Sequence, residues 1–287
     1  MNTKAKVADL NARIHRATSN DGTQITARVT GQGPHVIFLP AGPGDSELSW
    51  GNVANYLSDR CTCHLLETRG RGQSDDHPDH SPGRLVEDVL AYAQNIGENI
   101  GLVGWGSALW ARVAARNPSE IFAIAVYEPG AGEVMKPEMG KRMGEIFGRV
   151  GEHVAEGKID EAAKAFIENC DVIYSKKDID SGAPADFWNA AAKRLPLFLQ
   201  ESKQASGSGQ PGATSPETLG KIKMPVLLLH GNRTSQWFND SVQHVAGLLP
   251  DVTTRQIKNA AHFGPITNAE AVAKEMAGFF TKMHAQI

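Results

Sequence analysis

Apolar and polar side chains alternate from Arg13 to His15 and again from Gln24 to Arg28, on either side of Ser19-Asn20-Asp21-Gly22, which predicts an antiparallel hairpin. After the break at Gly31-Gln32-Gly33-Pro34 the alternation stops. The run HVIFLP (35–40) is almost wholly apolar, as expected for a strand buried on both faces of a sheet. Similar strands are predicted at Thr62 to Leu66, Ile100 to Val103, Phe122 to Tyr127, Met224 to Gly231 and Val252 to Ile257. Helical spacing takes over between them, near Trp50 to Leu57, near Asp240 to Leu249 and from about Ala269 to Met283. Another helix starts at Ser81-Pro82, a pair with N-cap and first-turn chemistry, and buries Leu85, Val89, Leu90 and Ala93.

The pattern changes from residue 131 to about 222. Met143, Ile146, Phe147, Val150 and Val154, then Ala162, Ala165 and Phe166, then Phe187 to Leu199 recur at helical spacing, with no clear strand. The segment closes with SGSGQPGATSP, whose composition predicts a flexible return arm over 205–216. Strands alternating with helices imply an α/β fold with a mostly parallel central sheet, helices on both faces and a helical insertion after the sixth strand. The expected division is a core of residues 1–130 and 223–287 and an insertion of residues 131–222. Ligands of such sheets bind beyond the carboxyl ends of the strands. Gly42, Glu67, Gly106, Glu128, Thr234 and His262 all lie in loops that follow strands, so they are expected on one rim beneath the insertion.

A sharper signal lies in NIGLVGWGSALW (99–110), where an apolar strand turns directly into an apolar helix. This is the plan of an elbow that holds one side chain above the sheet, with small residues needed two positions before and after it. Centring the turn on position 106 gives Gly104 and Ala108; centring it on Ser107 gives the bulky Trp105 and Leu109. The sterics select position 106, which is glycine. The turn that would present a nucleophile has no side chain to present.

Composition narrows the function classes. The chain of 287 residues has a formal net charge of -3, with acidic and basic residues interspersed, so neither a nucleic-acid nor a membrane partner is expected. No apolar run approaches the roughly 20 residues of a membrane span. The polar start MNTKAKVADLNAR lacks the apolar stretch of a signal peptide, so a cytoplasmic protein is expected. Cys61, Cys63 and Cys170 offer neither an easy disulfide nor a zinc set and are read as buried thiols. A small molecule is the expected partner, without cofactor or metal; the oligomeric state is open.

FLPAGPGDS, ETRGRGQS, LVGWGSA, PVLLLHG and AAHF stand in this chain in the order in which the α/β-hydrolase family carries such motifs, and the chain resembles that family over residues 12–130 and 223–285. The resemblance implies that the insertion is a cap domain shaping the substrate pocket. It makes His262, in the loop before the last helix, the base, and the backbone N–H groups of Gly42 and Ser107 the oxyanion hole. The aspartate common after the seventh strand is missing, because that loop reads Asn232-Arg233-Thr234-Ser235, and Asp240 falls on the next helix. The other usual place for the acid is the end of the sixth strand, where Glu128 stands; a carboxylate there is costly to bury unless it is paired. In these features the chain is similar to the fungal zearalenone lactonases, whose elbow has serine where Gly106 stands. Glu67 and Arg69 occupy positions where the family ties loops together. Trp105, and Phe187, Trp188 and Phe198 in the insertion, are candidates for the wall of an apolar pocket, the alternative being plain core.

Three accounts of Gly106 follow. In the preferred one, the protein is a serine-type hydrolase of an ester, lactone or related carbonyl bond whose nucleophile has been replaced. In the second, His262 oriented by Glu128 performs noncovalent acid/base chemistry as a lyase, isomerase or water-attack hydrolase. In the third, the pocket binds a small ligand without turnover.

Overall fold

The computed structural model describes residues 12–116, 118–173 and 187–287, with the side chains of 169–173 left undescribed. Among the described residues eight strands form one sheet: β1 (Arg13–Thr18), β2 (Gln24–Gly31), β3 (His35–Phe38), β4 (Thr62–Glu67), β5 (Ile100–Trp105), β6 (Ile121–Tyr127), β7 (Val226–Gly231) and β8 (Val252–Ile257). Their spatial order is β1-β2-β4-β3-β5-β6-β7-β8. The expected hairpin is the antiparallel edge β1-β2, β2 also pairs antiparallel with β4, and every later pairing is parallel. The chain leaves β3 for β4 on one side and leaves β5 for β6 on the other, so the connections diverge and open a crevice at the carboxyl ends of β3 and β5.

The central strands are buried on both faces, and successive side chains divide between two apolar layers. From β5, Ile100 and Leu102 join the layer under α2 (Pro82–Ile96), α3 (Leu109–Ala114) and α9 (Gln236–Leu248); Val103 and Trp105 join the layer under α1 (Ser46–Leu57) and α10 (Ala269–His284). Helix α1 begins four residues earlier than Trp50 because the Asp45 side chain accepts from the Leu48 N–H at 2.8 Å and caps it. Pro82 opens α2 as expected, but Ser81 makes no side-chain cap bond. Helix α9 begins at Gln236 rather than near Asp240, which places Phe238 in the interior.

Between β6 and β7 the described residues contain no strand. They form α4 (Pro137–Ala155), α5 (Ile159–Ile173), α6 (Phe187–Ala192), α7 (Leu195–Ser206) and the short α8 (Pro216–Leu219). The first four meet around a separate apolar cluster of Ile146, Val150, Ala162, Phe166 and Leu195. The return arm, expected to be loose, is tied down in its second half. Thr214 Oγ1 donates to Glu133 Oε2 at 2.7 Å, Thr218 Oγ1 to Gly212 O at 2.8 Å, and His244 Nε2 lies 3.0 Å from Thr214 O. Thr218 bonds the backbone nearby, whereas Thr214 is held by partners far away in sequence, which composition alone does not reveal. Cys61 and Cys63 are buried free thiols, and the Cys170 side chain lies outside the described residues. Among the described residues no helix is long and apolar enough to cross a membrane.

Candidate active site

Strand β5 ends at Trp105 and the chain reverses at Gly106, whose φ of +62° is a conformation that L side chains rarely adopt. Gly104 is required by packing: a Cβ there would lie 2.8 Å from the Trp110 side chain. Ala108 has a different reason to be small, since it faces the cavity rather than a neighbouring element. Ser107 does not take over the role of position 106 in this arrangement: its Oγ is occluded and has no hydrogen-bond partner among the described residues.

A Cβ built on Gly106 would stand 3.4 Å from His262 Cε1 and 3.5 Å from His262 Nε2, in ordinary contact. His262 is held there from several sides. Its ring stacks on Phe238 at a centroid distance of 3.9 Å and 9° between planes, and Trp105 and Phe263 pack against it at 5.5 and 5.7 Å. The loop carrying it is pinned by Tyr127, whose hydroxyl donates to Ala261 O at 2.7 Å. Gly264 lets Tyr127 come so close: a Cβ there would meet the phenolic oxygen at 2.1 Å.

His262 Nδ1 lies 2.9 Å from Glu128 Oε2. Glu128 is fully buried and is also the acceptor for Gly231 N–H at 2.8 Å and Thr234 Oγ1 at 2.8 Å. A carboxylate surrounded by donors accepts a hydrogen bond from Nδ1–H, and with the proton held on Nδ1 the Nε2 lone pair faces position 106. Glu128 itself sits at φ +42°, a left-handed conformation uncommon for a residue other than glycine and typical of sites where geometry is over-determined by the surroundings. Asp240, the alternative acid, instead accepts from Gln236 Nε2 at 2.7 Å on its own helix.

The two expected oxyanion donors differ. Gly42, at φ +51°, lines the cavity and has nothing within 4 Å of the place a Cβ would occupy. The Ser107 N–H is turned back on the Trp105 carbonyl at 2.5 Å, closing the tight turn at Gly106, so an anion there would share this donor. Both surround a cavity of about 410 Å³ whose wall is mostly apolar and includes Trp105, Phe187, Trp188, Phe198 and Phe263.

Glu67 and Arg69 are buried but bond to different partners. Arg69 forms a bidentate pair with Asp88 (2.6 and 2.8 Å) and reaches Asp21 and Asp79 O, joining the hairpin turn to α2 and its approach loop. Glu67 accepts from the Ser46 N–H, and burial, then the charge of Asp45, raises its pKa to about 8. Sequence reasoning placed Thr234 on the rim without its bond to Glu128, and did not identify Phe238 as the platform under His262. It also missed Arg71, which forms a bidentate pair with Glu201 of α7, with Nη2 to Oε2 at 2.8 Å, and so links the strand loops to the insertion. A hydroxyl in the loop where an acid is expected was the one usable signal, at Thr234.

The family model described as alpha/beta hydrolase fold matches residues 34–269, and the chain belongs to this family. No curated protein sequence matches it. Among solved structures it is similar to an alpha/beta hydrolase from Sphaerobacter thermophilus (22% identity, TM-score 0.71, 93% of this chain and 100% of the other). It is also similar to a thermophilic esterase from Thermogutta terrifontis (17%, TM-score 0.76, 95% and 100%) and to a carboxylesterase from Bacillus subtilis (16%, TM-score 0.74, 96% and 93%). At these identities the likeness is one of fold.

Proposed function

We propose that this chain carries a serine-hydrolase type of site for an ester, lactone or related carbonyl bond of a small, largely apolar molecule, with Gly106 where the nucleophile belongs. The observation that carries the reading is the 3.5 Å from a Cβ at position 106 to His262 Nε2. An Oγ on that carbon would reach the imidazole nitrogen that the Glu128 contact leaves unprotonated. In this reading His262 is the base and Glu128 the acid that orients it. Gly42 and Ser107 supply N–H groups to the developing oxyanion, and Trp105 and Trp188 hold the apolar part of the substrate. Residues 131–222 act as the cap, residues 1–130 and 223–287 as the core, and the protein works in the cytoplasm on a small-molecule substrate.

The chain as it stands binds such a substrate, but its acyl-transfer route lacks the attacking atom. A second reading is favoured by the open space above Gly106 next to Nε2: a water there, deprotonated by His262, would attack the carbonyl directly. The substitution Gly106→Ser separates the two. It is expected to raise ester hydrolysis by at least on the order of 10³-fold and to give a covalent adduct with a serine-directed phosphonate, seen by intact mass. Absence of both adduct and hydrolysis across a varied panel of esters and lactones would discard the serine-type reading. Turnover already present in the parent chain and abolished by His262→Ala would establish the water route.

A further inference from the structure

Two guanidinium groups stand on the cavity wall, Arg71 and Arg112. They differ in what balances their charge. Arg71 is held by both carboxylate oxygens of Glu201. Arg112, on α3 immediately beyond the elbow, has one hydrogen bond, from Nη1 to the side-chain oxygen of Gln210 at 2.9 Å. No carboxylate lies within ion-pair distance of it among the described residues. Half-burial against the apolar wall dehydrates this group and draws its pKa down.

A guanidinium has five N–H donors in a flat fork that suits a carboxylate, and Gln210 uses only one side of it. A cation partly withdrawn from water without a counter-charge is unfavourable, and an anion arriving in the cavity would relieve that. The spacing is also informative. Arg112 follows Gly106 by six residues, past the turn and the first residues of α3, and both line the same cavity. Leu109, Leu85 and Phe147 line the same cavity. We propose that Arg112 anchors a carboxylate at the far end of the substrate, so that the preferred compounds are esters or lactones with an apolar chain between the reacting carbonyl and a free carboxylate. This rests on the hydrolase reading above for the position of the reacting carbonyl.

The test uses the chain as it stands and two probes of one length, monomethyl suberate and its neutral counterpart dimethyl suberate, compared by calorimetry. The monoester is expected to bind about ten-fold more tightly, as befits one hydrogen-bonded charge pair. Arg112→Met should erase that preference and Arg112→Lys should retain part of it. Equal affinity for the two probes, binding of neither, or a preference unmoved in Arg112→Met overturns the proposal. The same pair as 4-nitrophenyl esters, assayed on Gly106→Ser, distinguishes this failure from that of the reading beneath it. Hydrolysis of both esters with a charged-to-neutral kcat/KM ratio that ignores Arg112→Met removes only the anchor, whereas hydrolysis of neither removes the serine-type reading.

Discussion

Two histidines of this chain are buried among aromatic rings, and they differ in what their nitrogens meet. His64, on β4, has Nε2 2.7 Å from His35 Nδ1 and Nδ1 2.9 Å from the Tyr92 hydroxyl, with His15 edge-on at 6.1 Å. Burial, helped by the charges His35, His15 and Arg13 would carry, pushes its pKa down to about 3. His262 is bonded instead to a carboxylate that is itself held by two further donors, and its other edge looks into a cavity. Burial and hydrogen bonding are common to both. What separates a candidate base from an inert core group is a partner that can stabilise positive charge, together with an open face where a proton can be delivered.

The comparison can be broken most sharply in the Gly106→Ser background. There His262→Ala is expected to lower kcat/KM for esters on the order of 10³- to 10⁴-fold, whereas His64→Phe should leave it near the parent value. Equal losses in the two variants would mean that the difference in partners has no chemical meaning. Glu128→Gln keeps size and shape but removes the charge that fixes the tautomer of His262; a loss of roughly 10²- to 10⁴-fold in kcat is expected, with KM little changed. A loss confined to KM would make Glu128 a wall of the pocket instead of the group that positions the base.

The smallest effect concerns stability. His64 stays neutral in the folded chain down to about pH 3, while the unfolded chain protonates it near 6.5. Between those values the unfolded state binds the extra proton, so the stability from this site is complete above about pH 6.5 and declines as the pH falls toward 3. Denaturant midpoints at about pH 4 and about pH 7 should converge in His64→Phe relative to the parent. A gap as wide as the parent's would show that acid sensitivity arises elsewhere.

Most of the fold could be read from the chain because most central strands are short apolar runs with glycine or proline close to their ends, and the helices packed on the sheet show a buried stripe. The places where structure and expectation part are set by single side chains. Asp45 extends α1, Phe238 draws α9 forward, and Thr214 ties down an arm whose glycine and serine content suggested freedom. At the site, steric pattern alone picked out position 106, and the φ of +62° found there is the conformation such a turn demands. The contact of Glu128 with His262 joins residues far apart in sequence and could be inferred only through resemblance. The Arg71–Glu201 pair was not legible at all, since nothing local marks two charges that meet across a cavity.

The left-handed backbone at Gly106 also gives the chain a direction of drift. Any residue with a Cβ would sit there under a conformational penalty of about 1–3 kcal/mol, which a nucleophile justifies only while its chemistry is needed. Glycine removes that penalty and leaves β5, α3 and the contacts of His262 in place. Loss of the attacking group at this position is therefore downhill in folding free energy, while its recovery is uphill. A lineage in which binding alone sufficed would keep a well-folded pocket and relinquish turnover first.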